Sequence, residues 1–156
     1  MAEDLKIIAG NREEQYKSLV PQIKALLTGE TDLIANLANV AAALNEQFNF
    51  FWVGFYLIKD EQLVLGPFQG PVACTRIAYN RGVCGAAWAK EETLIVPNVD
   101  EFPGHIACSS LSKSEIVIPF YHQNQLAGVL DVDSELLNNF NSVDEIYLKE
   151  ILSLIN

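Results

Sequence analysis

Apolar residues recur at helical spacing in the first third of the chain and alternate, or run together, in the middle third. Over residues 12–27 the pattern predicts a helix closed by Thr28-Gly29. Over residues 32–48, Leu33, Leu37, Val40, Ala41, Leu44 and Phe48 fall at steps of three and four, one stripe of an amphipathic helix with Thr31 or Asp32 as N-cap. Such a stripe needs a sheet to cover. From Asn49 the composition turns aromatic and β-branched, and residues 50–58 and 62–67 flank the polar turn Lys59-Asp60-Glu61 as a hairpin would. Further strands are predicted at residues 72–77, 93–96, 115–121 and 126–133, the last two joined by His122-Gln123-Asn124-Gln125. A short helix is expected after Gly82, through Ala86, Ala87 and Trp88. A final one follows from the spacing of Val143, Ile146, Tyr147, Glu150 and Ile151. Helices at both ends with hairpin-linked strands between them indicate an α+β fold, one antiparallel sheet with helices packed on it.

No internal repeat, low-complexity tract or flexible linker divides the pattern. The chain therefore reads as one domain over residues 1–156, with a helical part at about 12–48, sheet and loops at about 49–134 and a C-terminal helix at about 142–154. Half of the residues are apolar, enough to fill one core at this length. The 20 acidic residues against 10 basic ones give a formal net charge of −10, which repels phosphate backbones and anionic membranes and argues against nucleic acid as a partner. The opening MAEDLKIIAG has acids where a signal peptide needs a basic stretch, and no apolar run reaches the roughly 18 residues of a membrane span, so a soluble cytoplasmic protein is expected. Three cysteines, Cys74, Cys84 and Cys108, contain no CxxC pair for zinc and cannot close into a disulfide framework. At least one thiol is left over.

The chemistry concentrates between Tyr79 and Glu115, where two cysteines, a histidine and a glutamate stand among glycines and small polar residues, poor material for a core. Cys108, in GHIACSS, is a loop thiol that ionises if donors or a helix N-terminus stabilise the thiolate. Cys84, flanked as Val83-Cys84-Gly85, and Cys74, in PVACT, read as further loop thiols. Cysteines are often simply buried, but three outside regular helices favour thiol–disulfide exchange, in which one attacks and another resolves. Asp131 and Asp133 end an apolar strand at i and i+2, hence on one face. Glu115 opens the neighbouring strand, close enough for a trio of carboxylates. Such a trio could hold an ammonium group or retain a proton for acid catalysis, or be a solvated strand end; a calcium site would need more oxygen ligands. Trp52 and Tyr56, four apart on one strand face, could wall a pocket for a small apolar group. His105 and His122 lack partners at ligand spacing and read as structural, so no metal is expected.

The run Gly82-Val83-Cys84-Gly85, Val96 to Val99, Gly104-His105-Ile106-Ala107-Cys108, Ser114-Glu115-Ile116-Val117 and Gly128-Val129-Leu130-Asp131-Val132-Asp133-Ser134 resembles the free methionine (R)-sulfoxide reductases, which are single-domain GAF proteins. The resemblance spans residues 50–145. It implies that Cys108 attacks the sulfoxide sulfur, releases methionine and becomes a sulfenic acid. It further implies that Cys84 and Cys74 are the candidates to resolve that acid as a disulfide, in an order left open, for reduction by thioredoxin and ultimately NADPH. Substrate-binding acids are implied at Glu115, Asp131 and Asp133, pocket aromatics at Trp52 and Tyr56, no bound cofactor, and a homodimer paired through terminal helices.

Two other functions compete. A ligand-sensing GAF module would bind a cyclic nucleotide or a bilin, but it is expected to carry an output domain, its bilin cysteine is typically followed by His whereas Ser109 follows Cys108 here, and an acidic pocket disfavours a cyclic phosphate. A generic thiol redox sensor would use the same cysteines without needing Trp52, Glu115, Asp131 and Asp133.

Overall fold

The computed structural model describes residues 4–155. Two helices come first, α1 (Arg12–Leu27) and α2 (Leu33–Phe48). Asn11 caps α1 by accepting from the Glu14 amide, and of the two candidate N-caps of α2 it is Asp32 that accepts, from the Ala35 amide. Strands β1 (Trp52–Lys59) and β2 (Gln62–Gln69) form the expected hairpin across Asp60 and Glu61, both at positive φ. Then follow β3 (Arg76–Ala78), α3 (Gly82–Lys90), β4 (Leu94–Val96), β5 (Ser114–His122), β6 (Gln125–Ser134) and α4 (Ser142–Ser153). All six strands form one antiparallel sheet in the order β3-β2-β1-β6-β5-β4.

That order places β3 and β4 at opposite edges although they are successive strands. The chain between them must cross the sheet, and α3 makes the crossing on one face, packed on β3, β5 and β6. The terminal helices cover the other face. Period-two alternation serves both layers: Val53, Phe55, Leu57, Ile116, Ile118, Leu130 and Val132 point to α1, α2 and α4, and Trp52, Tyr56, Val117 and Val129 point to α3. Each fully buried side chain of this size adds about 2 kcal/mol of transfer free energy. At Gly128 a Cβ would run into the Tyr56 carbonyl, so the close approach of β6 to β1 requires glycine there.

Three expectations change. The strand at 72–77 shrinks to β3, because Pro71 has no N–H to pair and the stretch 70–75 is tied down instead by side chains of β1. Residues 82–87 are core after all: Val83, Cys84, Ala86 and Ala87 are buried, since small side chains let α3 lie close on the sheet. The inner face of α4 is Asp144, Leu148, Ile151 and Leu152, whereas Ile146 is exposed.

Asp144 joins the terminal helices. It is 1% exposed, accepts from the Tyr16 hydroxyl at 2.7 Å and from Arg12 Nη1 at 3.1 Å, and its other oxygen accepts from the Asn141 amide, closing a capping box on α4. Burial and the Asp144 charge both push the Tyr16 hydroxyl pKa up, so Tyr16 stays a donor. Asp144→Ala leaves that hydroxyl buried without an acceptor and opens the cap. The expected loss, read from denaturant unfolding, is about 3 kcal/mol. Lys17→Ala, which removes the exposed Lys17–Glu13 pair, should cost under about 0.5 kcal/mol in the same measurement.

Candidate active site

The pocket is built where β1, β6 and β5 pass beneath α3. Register puts Glu115 opposite Asp133, Asp133 opposite Trp52 and Asp131 opposite Gly54, so acids and aromatics share one sheet face. Glu115 and Asp131 are buried, and Asp133 is half-buried and accepts from the Ser112 hydroxyl at 3.2 Å. Across from them, α3 brings Cys84 down onto the carboxyls: its thiol donates to Glu115 Oε2 at 3.9 Å, and ligand atoms of Cys84, Glu115 and Asp131 lie within 4.8 Å of one another. Cys84 is thus a helix residue in the first turn of α3, not the loop thiol its flanking glycines suggested.

Burial, reinforced by the like charges of Asp131 and Asp133, pushes the Glu115 carboxyl well above its ordinary range. Burial raises Asp133 as well, with Asp131 adding to it. Burial also raises Asp131, while the neighbouring Glu115 and Cys84 groups pull it back down. The Cys84 thiol is pushed up by burial first and then by Asp131 and Glu115, which holds it as a neutral donor. One acceptor is left over: Asp131 Oδ1 is buried and meets no donor from the protein. A buried carboxylate oxygen without a partner is costly unless a ligand supplies the donor.

Two loops close the pocket from the side. The loop after β2 carries Cys74 and the long loop between β4 and β5 carries Cys108, and the two cysteines form a disulfide with Cα atoms 5.6 Å apart. Cys108 is exposed and Cys74 half-buried, while Cys84 remains free and buried. The aromatic pair that walls the pocket also anchors the Cys74 loop. Trp52 stacks on Tyr56 and on Phe68, with centroids 5.9 and 5.2 Å apart, and its indole N–H donates to the Pro71 carbonyl at 3.1 Å. The Tyr56 hydroxyl donates to the Cys74 carbonyl at 2.8 Å, and burial raises its pKa, with Asp131 next in effect.

Trp52, Tyr56, Cys84, Cys108, Glu115, Asp131 and Asp133 all line this single cavity, with Cys74 joined to it through the disulfide. The cavity offers about 60 Å³, room for a small polar or apolar group and too small for a tetrapyrrole. Three further residues of the wall escaped the sequence reading. Ser112 orients Asp133. His105, read as structural, lies on the wall and lowers Asp131 through its charge. Arg81 stands on the wall at the N-terminus of α3, which no side chain caps. An arginine directly before a glycine-opened helix is the signal that marks it.

A GAF domain family model matches residues 30–156. The chain is 68% identical over 157 residues to GAF domain-containing protein A of Dictyostelium discoideum, covering 100% of this chain and 99% of that protein. It is 46% identical over 144 residues to the free methionine-R-sulfoxide reductase of Escherichia coli, covering 92% of this chain and 87% of the relative. Its fold superposes with a TM-score of 0.94 on the free methionine-R-sulfoxide reductase of Neisseria meningitidis solved in complex with its substrate, at 51% identity and with 97% and 92% of the two chains covered. By these matches the chain belongs to the GAF domain family and, within it, to the free methionine-R-sulfoxide reductases.

Proposed function

We propose that this chain reduces free L-methionine (R)-sulfoxide to L-methionine through a cysteine sulfenic acid and a disulfide that thioredoxin reopens. The observation that carries the reading is the joining of a disulfide between exposed Cys108 and half-buried Cys74 to a small pocket lined by buried acids. The Cys108 thiolate attacks the sulfoxide sulfur; two electrons pass to that sulfur, the oxygen leaves it for Cys108, and methionine departs. Cys74 then attacks the sulfenic sulfur, water leaves, and the disulfide forms. A dithiol donor returns both thiols, so one sulfoxide and one dithiol give methionine, water and a donor disulfide.

Pocket residues divide the work by chemistry. The carboxyl cluster hydrogen-bonds the sulfoxide oxygen as it gains negative charge, which a thiolate attack on sulfur requires. The unpartnered Asp131 Oδ1 accepts from the substrate ammonium. Inside a polypeptide that nitrogen is an uncharged amide and gains no ion pair, so free amino acid is favoured. Arg81 and the uncapped amides of α3 suit the substrate carboxylate. Trp52 and Tyr56 take the apolar side chain.

The remaining assignments follow from the same reading. Thioredoxin, with NADPH behind it, fits a disulfide whose Cys108 is exposed. A reducing cytoplasm fits a cycle that restarts from thiols; no helix among the described residues is long and apolar enough to cross a membrane. A homodimer through the terminal helices would cover exposed Ile34 and Ile146.

The assay measures methionine release from separate R and S epimers, with dithiothreitol and then with thioredoxin, thioredoxin reductase and NADPH. The R epimer should turn over with both donors. No release from it with dithiothreitol would sink the activity, and turnover with dithiothreitol alone would remove only thioredoxin. Cys108→Ser should abolish release, whereas Cys74→Ser should still release about one methionine per chain in a single turnover without forming a disulfide. Asp131→Asn should raise KM roughly 10- to 100-fold, the worth of one charged hydrogen bond, measured by initial rates on the R epimer. Tyr56→Phe frees the Cys74 carbonyl, and stopped-flow trapping of thiols should show disulfide closure slowed by about fivefold relative to methionine release.

A further inference from the structure

The free thiol of the pocket has no part in the Cys74–Cys108 bond, yet it is set among hard ligands. Cys84 Sγ, a Glu115 carboxyl oxygen and an Asp131 carboxyl oxygen lie within 4.8 Å of one another, all three residues are buried, and Sγ and Glu115 Oε2 are 3.9 Å apart. A tetrahedral ion bound by one thiolate and two carboxylates holds its ligand atoms roughly 3.5 Å apart, so small side-chain movements close the gap. Asp131 Oδ1, buried and without a donor, is a second and separate sign that the cluster is built to receive something positive. Asp133 stands opposite Glu115 in the register, and all of these groups line the cavity, on whose wall His105 also stands.

We propose that Cys84, Glu115 and Asp131 form a binding site for a thiophilic divalent cation of the zinc class. The metal displaces the thiol proton, together with any proton the two carboxyls hold, to solvent, giving a thiolate–metal bond and two carboxylate ligands with no change of oxidation state. A hard ion such as magnesium is disfavoured by the sulfur ligand and by the small number of oxygens. The site stands on its own geometry. Its consequence rests on the function proposed above: the same carboxyls would hold the substrate ammonium, so metal and substrate exclude one another and the cation acts as an inhibitor. Glu115, Asp131 and Cys84 come from β5, β6 and α3, so bound metal would also clamp the crossing helix to the sheet.

The disulfide makes the test selective. In the oxidised protein Cys74 and Cys108 are consumed, and Cys84 is the single thiol left among the chain's three cysteines. Titrating oxidised protein with cadmium should raise the ultraviolet thiolate-to-cadmium charge-transfer band to a plateau at one ion per chain, and zinc should abolish it by competition. Cys84→Ser should remove the band, and Glu115→Gln and Asp131→Asn should each weaken cadmium binding at least tenfold, with circular dichroism confirming the fold of each variant. A band that arises only after reduction would assign the metal to Cys74 and Cys108 and overturn the proposal. So would a flat titration of oxidised wild-type protein, which needs no variant to fold. Because this readout uses the metal alone, it is independent of whether methionine sulfoxide is the substrate.

Discussion

The two successive strands β3 and β4 lie at opposite edges of the sheet, and this separation constrains everything else. A chain that leaves one edge and must resume at the other has to cross a sheet face, and here it crosses with α3. The central strands are therefore buried on both sides, one side against a thick helical layer and the other against a short helix and two loops. The thin side is where backbone and side chains leave a cavity. Gly82, Val83, Cys84 and Gly85 allow α3 to sit low enough to bring a thiol onto the sheet's carboxyls.

Placing three acids under that helix opposes folding, since burial disfavours the ionised form of each and like charge adds to it at Glu115 and Asp133. The stabilisation comes from the opposite face. There Tyr16, Leu37, Leu44, Phe55, Phe120, Leu130 and Ile151 pack together, and Asp144 satisfies Tyr16, Arg12 and the α4 cap together. One sheet thus carries a core on one surface and a strained polar site on the other. The division follows from the period of two: neighbouring residues such as Ile116 and Glu115, or Val132 and Asp131, serve opposite layers.

Aromatic residues on β1 link the two tasks of the site. Trp52 and Tyr56 present their faces to the cavity and their polar tips to the carbonyls of Pro71 and Cys74, so the wall that shapes the ligand space also fixes the loop that carries one half of the disulfide. Their dual role explains why residues 70–75 hold a set conformation without being a strand.

Much of this was legible in the chain because it is written in near neighbours. Helical steps in 33–48, the turn at 59–61 and the Asp131/Asp133 alternation each depend on residues a few positions apart, and all three stand as read. The acid trio needed only hairpin pairing, which a short polar turn nearly dictates. What failed was non-local. Cys84 looked like a loop thiol because two glycines flank it, and His105 and Ser112 gave no sign that their loop would bring them to the wall where Arg81 stands. Sequence by itself determined the elements, the two-faced sheet and the acids, and its motifs pointed to the family. Tertiary structure alone decided that Cys74 meets Cys108 while Cys84 turns inward to Glu115, because which loops and helices converge depends on strand order and on the crossing it forces, and no local period encodes that.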